Sequence, residues 1–151
     1  MADLCIRPGQ PGDAASIADF NCRMCLETEH HELDRPTVEA GVIAVFDSPS
    51  RGRYFVAEQG DEVVGCLMIT HEWSDWRNGD VWWIQSVYVV PAARRKGVFR
   101  AMYKAVESAA KEAGAVGIRL YVERENTTAQ STYVSLGMSE THYRMMEVMF
   151  G

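Results

Sequence analysis

Four of the chain's 15 basic residues, Arg94, Arg95, Lys96 and Arg100, fall within seven positions of a 151-residue protein whose formal charge is −6. Before them runs Val87-Tyr88-Val89-Val90-Pro91, and among them stands Gly97-Val98-Phe99: a β-rich stretch, a proline stop, a basic turn and a helix start. Those residue types in that order suit an anion. The first N–H groups of a helix have no internal partners and carry the positive end of its dipole. Gly97 admits close approach to the backbone, while Arg offers a planar fork and Lys a point charge to phosphate oxygens. Left as a solvated surface, three cations at this helix end would oppose the dipole by about 0.3–1 kcal/mol each. A bound phosphate removes that conflict, so the segment reads as a phosphate site whose ligand the pattern does not name.

Other reactive side chains cluster elsewhere. Glu27, Glu29 and Glu32 with His30 and His31 make a dense polar patch, which is either a solvated helix end or part of a site. Cys22 and Cys25 form a C-x-x-C pair. A redox couple or half of a zinc site would use that spacing, but a redox motif should follow a strand and a zinc site usually adds a second tight pair, so apolar packing on a helix is the better account. No metal is expected, and no Cys/His spacing marks Cys66 as a nucleophile. All four tryptophans, Trp73, Trp76, Trp82 and Trp83, lie within 11 positions. They pack a hairpin or wall a pocket for a cation, and because Trp82 and Trp83 are adjacent on a strand, at most one faces a given pocket.

The elements that must position these residues follow from periodicity and turn signals. A short strand is expected at 4–7, a helix from 11–13 to 29–31, and a second helix over 36–46, opened by Pro36 and stopped by the Pro/Gly-containing stretch 48–52. Residues 54–58 and 63–70 read as an antiparallel hairpin, 72–80 as a loop, and 81–90 as a long strand. Val98, Met102, Val106, Ala109 and Ala113 mark one face of a helix running to Gly114. A strand over 116–123, a short helix from the N-cap Asn126 to Leu136, and one or two last strands in 138–150 complete the order. A strand–helix–strand unit inside a mostly antiparallel array predicts an α/β (α+β) fold, a mixed sheet with helices on its faces.

At these residues the chain resembles the GNAT acetyltransferase family. The segment after the long strand is similar to that family's Arg/Gln-x-x-Gly-x-Gly/Ala motif, matched by Arg94 and Gly97, with Phe99 in place of the usual small residue. Asn126-x-x-Ala129-x-x-x-Tyr133-x-x-x-Gly137-Met138 resembles its Asn…Ala…Tyr…Gly segment after the next strand. The resemblance covers nearly the whole chain and implies the GNAT acyl-CoA N-acyltransferase fold, a twisted, mostly antiparallel sheet. It implies transfer of an acetyl group from acetyl-CoA, a co-substrate, to a primary amine by direct attack in a ternary complex. By the same resemblance, the backbone of Val87 and Val89 pairs with the pantetheine arm as an added strand would. Arg94, with backbone groups of Arg95, Lys96, Gly97, Val98, Phe99 and Arg100, holds the pyrophosphate. Asn126 contacts the cofactor arm, a role compatible with capping its helix, and Tyr133 protonates the departing thiolate unless it is a core aromatic. Some relatives carry a Glu two positions before the residue matching Val87; here that position is Gln85, which cannot accept a proton. Gln85 is then left to orient the acceptor or a water, and Glu29 ranks first as base. Glu27, His30 and Trp83 join Gln85 as candidate acceptor-binding residues.

Composition bounds the remainder. A 47% hydrophobic and 24% charged chain of this length fits one soluble domain spanning 1–151. An acidic balance argues against general nucleic-acid binding and tolerates cationic small molecules. No 18-residue apolar run or basic leader is present, so a membrane partner is not expected and a cytoplasmic address is. The family's habit of pairing last strands between subunits implies a homodimer. The competing class is a catalytically silent sensor of acyl-CoA, favoured by Gln85 and Phe99 and opposed by Tyr133. Whether the acceptor is a polyamine, amino acid, aminoglycoside, peptide N-terminus or protein lysine is left open.

Overall fold

Alternating β-formers close the first strand, β1 (Leu4–Pro8), antiparallel onto β2 (Arg53–Gln59), and the expected hairpin joins β2 to β3 (Glu62–Ser74) in the computed structural model, which describes residues 3–151. β3 pairs antiparallel with β4 (Gly79–Val89), and β5 (Gly117–Arg119) runs parallel to β4. The order β1-β2-β3-β4-β5 is the mixed, mainly antiparallel sheet anticipated from the element pattern. Helices α1 (Ala14–Glu29), α2 (Arg35–Asp47) and α3 (Val98–Glu112) accompany it, and α4 (Thr127–Ser135) follows later in the chain. Two compact units are distinguished, one ending at Leu120 and the other comprising Tyr121–Gly151. The sheet and the first three helices belong to the first unit.

Each sheet face has its own core. Ile17 and Phe20 of α1 and Val42 of α2 pack with Tyr54, Val56, Cys66 and Tyr88, which cross-strand pairing places on one side of the sheet. On the other side Met102 of α3 is wholly buried and lies close to Gly65. Burying side chains such as Ile17 or Met102 contributes about 1.5–3 kcal/mol each. The start of α1 is anchored by Asp13, only 8% exposed, whose carboxylate accepts the Gln10 N–H at 2.7 Å and both Arg7 guanidinium nitrogens at 2.9 and 3.0 Å. Asp34 caps α2 by accepting the Thr37 N–H at 3.2 Å.

Three expectations are corrected. Residues 72–80 are not a loop: β3 and β4 continue to Ser74 and Gly79, which pair with each other, and only 75–78 form the turn, with Asn78 at φ 51. The strand expected over 116–123 is reduced to Gly117–Arg119, which pairs with Val81, Trp82 and Trp83 ahead of a bulge in β4. No strand forms in 138–150 among the described residues. The alternation there has no ladder to join, and Met146 and Phe150 are 92% and 94% exposed. Among the described residues no helix is long and apolar enough to cross a membrane.

Candidate active site

The bulge in β4 creates the site's main geometric feature. Cys66 pairs with Tyr88 and Met68 with Gln85, so Leu67 alone faces Ser86 and Val87, and Ser86 takes φ 52. A left-handed serine costs about 1–2 kcal/mol, a strain that surrounding pairing must sustain. Gly65 fits here because a Cβ would come within 2.9 Å of the Tyr88 carbonyl. After the bulge, the Val90 N–H donates to the Val64 carbonyl at 2.9 Å, toward β3. Alternate residues of a strand direct their peptide groups to opposite edges, so those of Val87 and Val89 point to the other edge. β5 pairs only with Val81, Trp82 and Trp83 and does not reach that edge. The two residues named from the family resemblance thus offer backbone groups where an extended partner can add.

That edge leads into the basic turn. A 3-10 turn at Pro91–Ala93 is followed by Arg95 at φ 63 and by Gly97 at φ 82, which is the N-cap of α3 and brings no side chain to the helix start. A Cβ at Gly97 would meet nothing within 4 Å, so its glycine requirement is conformational and the space above it is open. Arg95, Lys96 and Arg100 are exposed. The Phe99 ring lies 6.3 Å from that of Tyr103, one helical turn on, so its bulk is directed along α3. Arg94 does not reach out alone: its Nε donates to the Val89 carbonyl at 2.8 Å and its Nη2 to Glu27 at 2.6 Å. Glu27 also accepts from the Tyr88 hydroxyl. Those hydrogen bonds, Tyr88 first and Arg94 second, hold the Glu27 carboxyl below its ordinary range, whereas burial and the neighbouring Glu27 push the Tyr88 phenol up.

On the same sheet face, beyond α1 and α2, lies a polar strip. The Gln85 amide donates to the Thr70 hydroxyl, and Trp83 Nε1 donates to Glu72 at 2.7 Å. Arg119 reaches both oxygens of Glu72 at 2.9 Å. Hydrogen bonds from Trp83 and then Arg119 depress the Glu72 carboxyl, which makes it an anchor for Trp83 and a poor base. Trp82 faces the opposite side, buried beneath the Arg53 guanidinium at 4.3 Å. At the end of α1, Glu29 is exposed and its Oε2 accepts from the Cys25 thiol at 3.5 Å; His30 is the left-handed C-cap and exposed. Burial, with Glu29 beside it, pushes the Cys25 thiol up, and all four cysteines are free. Thr70, Glu72, Tyr88 and Arg119 escaped the sequence reading; for Glu72 the available signal was the hairpin-turn pair Asn78-Gly79, which implies strands running to its edges.

The second unit holds the other two residues. Asn126 caps α4, accepting the Ala129 N–H at 3.1 Å, as its position before the helix implied. Tyr133 lies on α4 and is half-buried, and burial raises its phenol above the usual value of 10.0.

The chain is similar to known proteins in sequence and in fold. A possible acetyltransferase from Clostridium difficile 630 is 42% identical, with 97% of each chain covered and a TM-score of 0.89. The aminoglycoside N(6')-acetyltransferase type 1 of Klebsiella aerogenes is 27% identical over 139 residues, 89% of each chain. A predicted acetyltransferase from Clostridium acetobutylicum, crystallised with acetyl-CoA, shares the fold at 16% identity and a TM-score of 0.79, over 97% of this chain and 96% of that one. The family model described as acetyltransferase (GNAT) matches residues 16–138, a span that includes the bulged strand, the basic turn and Tyr133, and the chain belongs to that family.

Proposed function

We propose that this acetyltransferase moves the acetyl group of acetyl-CoA to a primary amine of a small molecule by direct attack in a ternary complex. The observation that carries the reading is the open edge of β4 at Val87 and Val89, running straight into the glycine-bearing basic turn at the start of α3. An extended arm with amide groups fits the edge as an added strand, and a diphosphate fits a helix start flanked by Arg95, Lys96 and Arg100. Arg94 supports this turn and Asn126 joins the cofactor set on the motif match. When bound, acetyl-CoA supplies a thioester, so transfer breaks one C–S bond, forms one C–N bond and moves one proton from nitrogen to sulfur.

The chain's own groups manage that proton. An alkylamine of pKa about 10.4 is neutral in only about one molecule in 2,500 at pH 7, a deficit of about 4.6 kcal/mol. Glu29 is the proposed acceptor of the amine's proton, since it is exposed and bonded only weakly to Cys25, whereas Glu27 and Glu72 are each held by an arginine. Tyr133, protonated at neutral pH, is the proposed donor to the thiolate. Gln85 and Trp83, with His30, are the proposed acceptor-side contacts. The curated relative puts the 6'-amine of an aminoglycoside first among acceptors to try. We also infer a homodimer, because Met146 and Phe150 stand almost fully exposed in the single chain.

The test is thiol release from acetyl-CoA over a panel of aminoglycosides, polyamines, amino acids, peptides and lysine-bearing proteins. Turnover with at least one amine is expected. Saturable acetyl-CoA binding without turnover on any of them would favour the silent sensor, which the substitution of Gln85 for a carboxylate supports.

A further inference from the structure

Glu27 belongs to the last turns of α1, but its carboxylate is bound to groups that shape the end of β4. One oxygen accepts from Arg94 Nη2 at 2.6 Å and the other from the Tyr88 hydroxyl. Arg94 uses its Nε on the Val89 carbonyl at 2.8 Å, and its guanidinium carbon lies 5.4 Å from the centre of the Tyr88 ring. The Val89 carbonyl points to the open edge, since the Val90 N–H points the other way, to Val64. A chain of two polar contacts therefore runs from a helix carboxylate through Arg94 to a carbonyl on the edge where a partner strand would add, with the Tyr88 hydroxyl bound to the same carboxylate. With side chains 38% and 43% exposed, the Glu27–Arg94 pair contributes little to global stability. Its consequence is local: it fixes the torsions of the turn that follows Val89 and neutralises Arg94, leaving the outward charge of the turn to its neighbours.

We propose that Glu27 is a positioning residue for the cofactor edge, acting through Arg94 on the Val89 peptide and the basic turn, and touching neither acetyl-CoA nor the acceptor. This rests on the reading of that edge as the acetyl-CoA site. It moves Glu27 from the acceptor side, where the family resemblance had put it, to the cofactor side. It also gives Arg94 a role in shaping the site in place of direct contact with phosphate.

Calorimetric titration with acetyl-CoA, alongside steady-state kinetics, separates the alternatives. Glu27→Gln keeps the shape and removes the charge, and it should weaken acetyl-CoA binding about three- to tenfold while the KM for the acceptor, at saturating acetyl-CoA, stays constant. Arg94→Met should weaken it to a similar degree, and the double variant should be no weaker than either single one, because both act through one linkage. Melting temperatures check that each variant is folded. Unchanged acetyl-CoA affinity with a raised acceptor KM in Glu27→Gln would overturn the proposal and make Glu27 an acceptor ligand. Additive losses in the double variant would overturn it too, since Arg94 would then meet the cofactor independently. Absence of acetyl-CoA binding by the wild type would remove the edge reading itself, and is seen before any variant is made.

Discussion

Tyr133 must hold a proton at working pH if it is to give one to sulfur, and burial moves its phenol in the direction that keeps it. An acid with a raised pKa is fully protonated below its ordinary value and loses the proton only as pH climbs through the higher one. The alkaline fall in turnover should therefore lie above pH 10 and disappear in Tyr133→Phe. That variant should lose about 10²- to 10⁴-fold in kcat with acetyl-CoA affinity kept, as measured by single-turnover kinetics and calorimetry. Equal kcat values would make the tyrosine a packing residue. Glu29→Gln should act on the other limb, lowering kcat/KM most below the pKa of the amine. At this scale the residues of the two family motifs were legible because their spacing is local. Glu27–Tyr88 and Glu72–Arg119 were not, because their partners lie 61 and 47 positions apart and only the folded sheet brings them together.

Among the elements, β4 does the positioning, and its bulge depends on what lies opposite. Gly65 sits where a Cβ would meet the Tyr88 carbonyl at 2.9 Å and Met102 at 3.5 Å. Gly65→Ala should push the segment after the bulge outward, costing about 1–3 kcal/mol in denaturant unfolding and weakening acetyl-CoA binding at the same time. An alanine that is neutral in both would mean β4 adjusts freely there. Alternation showed which side of a segment would face a core but not whether a neighbour exists to pair with it. This is why β2, β3, β4 and α3 were legible and why 138–150, which also carries β-formers, forms no ladder. The bulge was illegible for a related reason. Ser86 carries no signal of its own, and the extra residue appears only when β3 is laid beside β4.

For the protein as a whole, ionisable groups set a window of stability with separate causes on each side. The Asp13 carboxyl, 8% exposed, is held low chiefly by Arg7. Its contribution is complete above the ordinary value of 3.8 and is lost as pH falls through the lower folded one, while the solvent-screened Glu27 and Glu72 carboxyls add little. Burial pushes the Cys66 thiol up to about 12 from 9.0, so the unfolded chain ionises first and stability declines as pH rises from 9.0 toward that value. Melting temperature measured across pH should fall at both ends, and Cys66→Ala should flatten the alkaline limb even if it lowers the plateau. A declining alkaline limb of unchanged slope in that variant would assign the loss to other groups, Tyr54 foremost, whose burial also raises it to about 12.

The β3–β4 hairpin also divides the indoles among different surroundings: Trp76 is 86% exposed and Trp73 62%, Trp83 is half-buried with its N–H on Glu72, and Trp82 is 2% exposed beneath Arg53. The protein therefore contains its own optical gauge. Acrylamide should silence the red-edge emission of the hairpin tip first, leaving a blue component from the strand interior. With Trp73, Trp76 and Trp82 replaced by phenylalanine, a change in the remaining signal on adding an amine would report events at Trp83 itself.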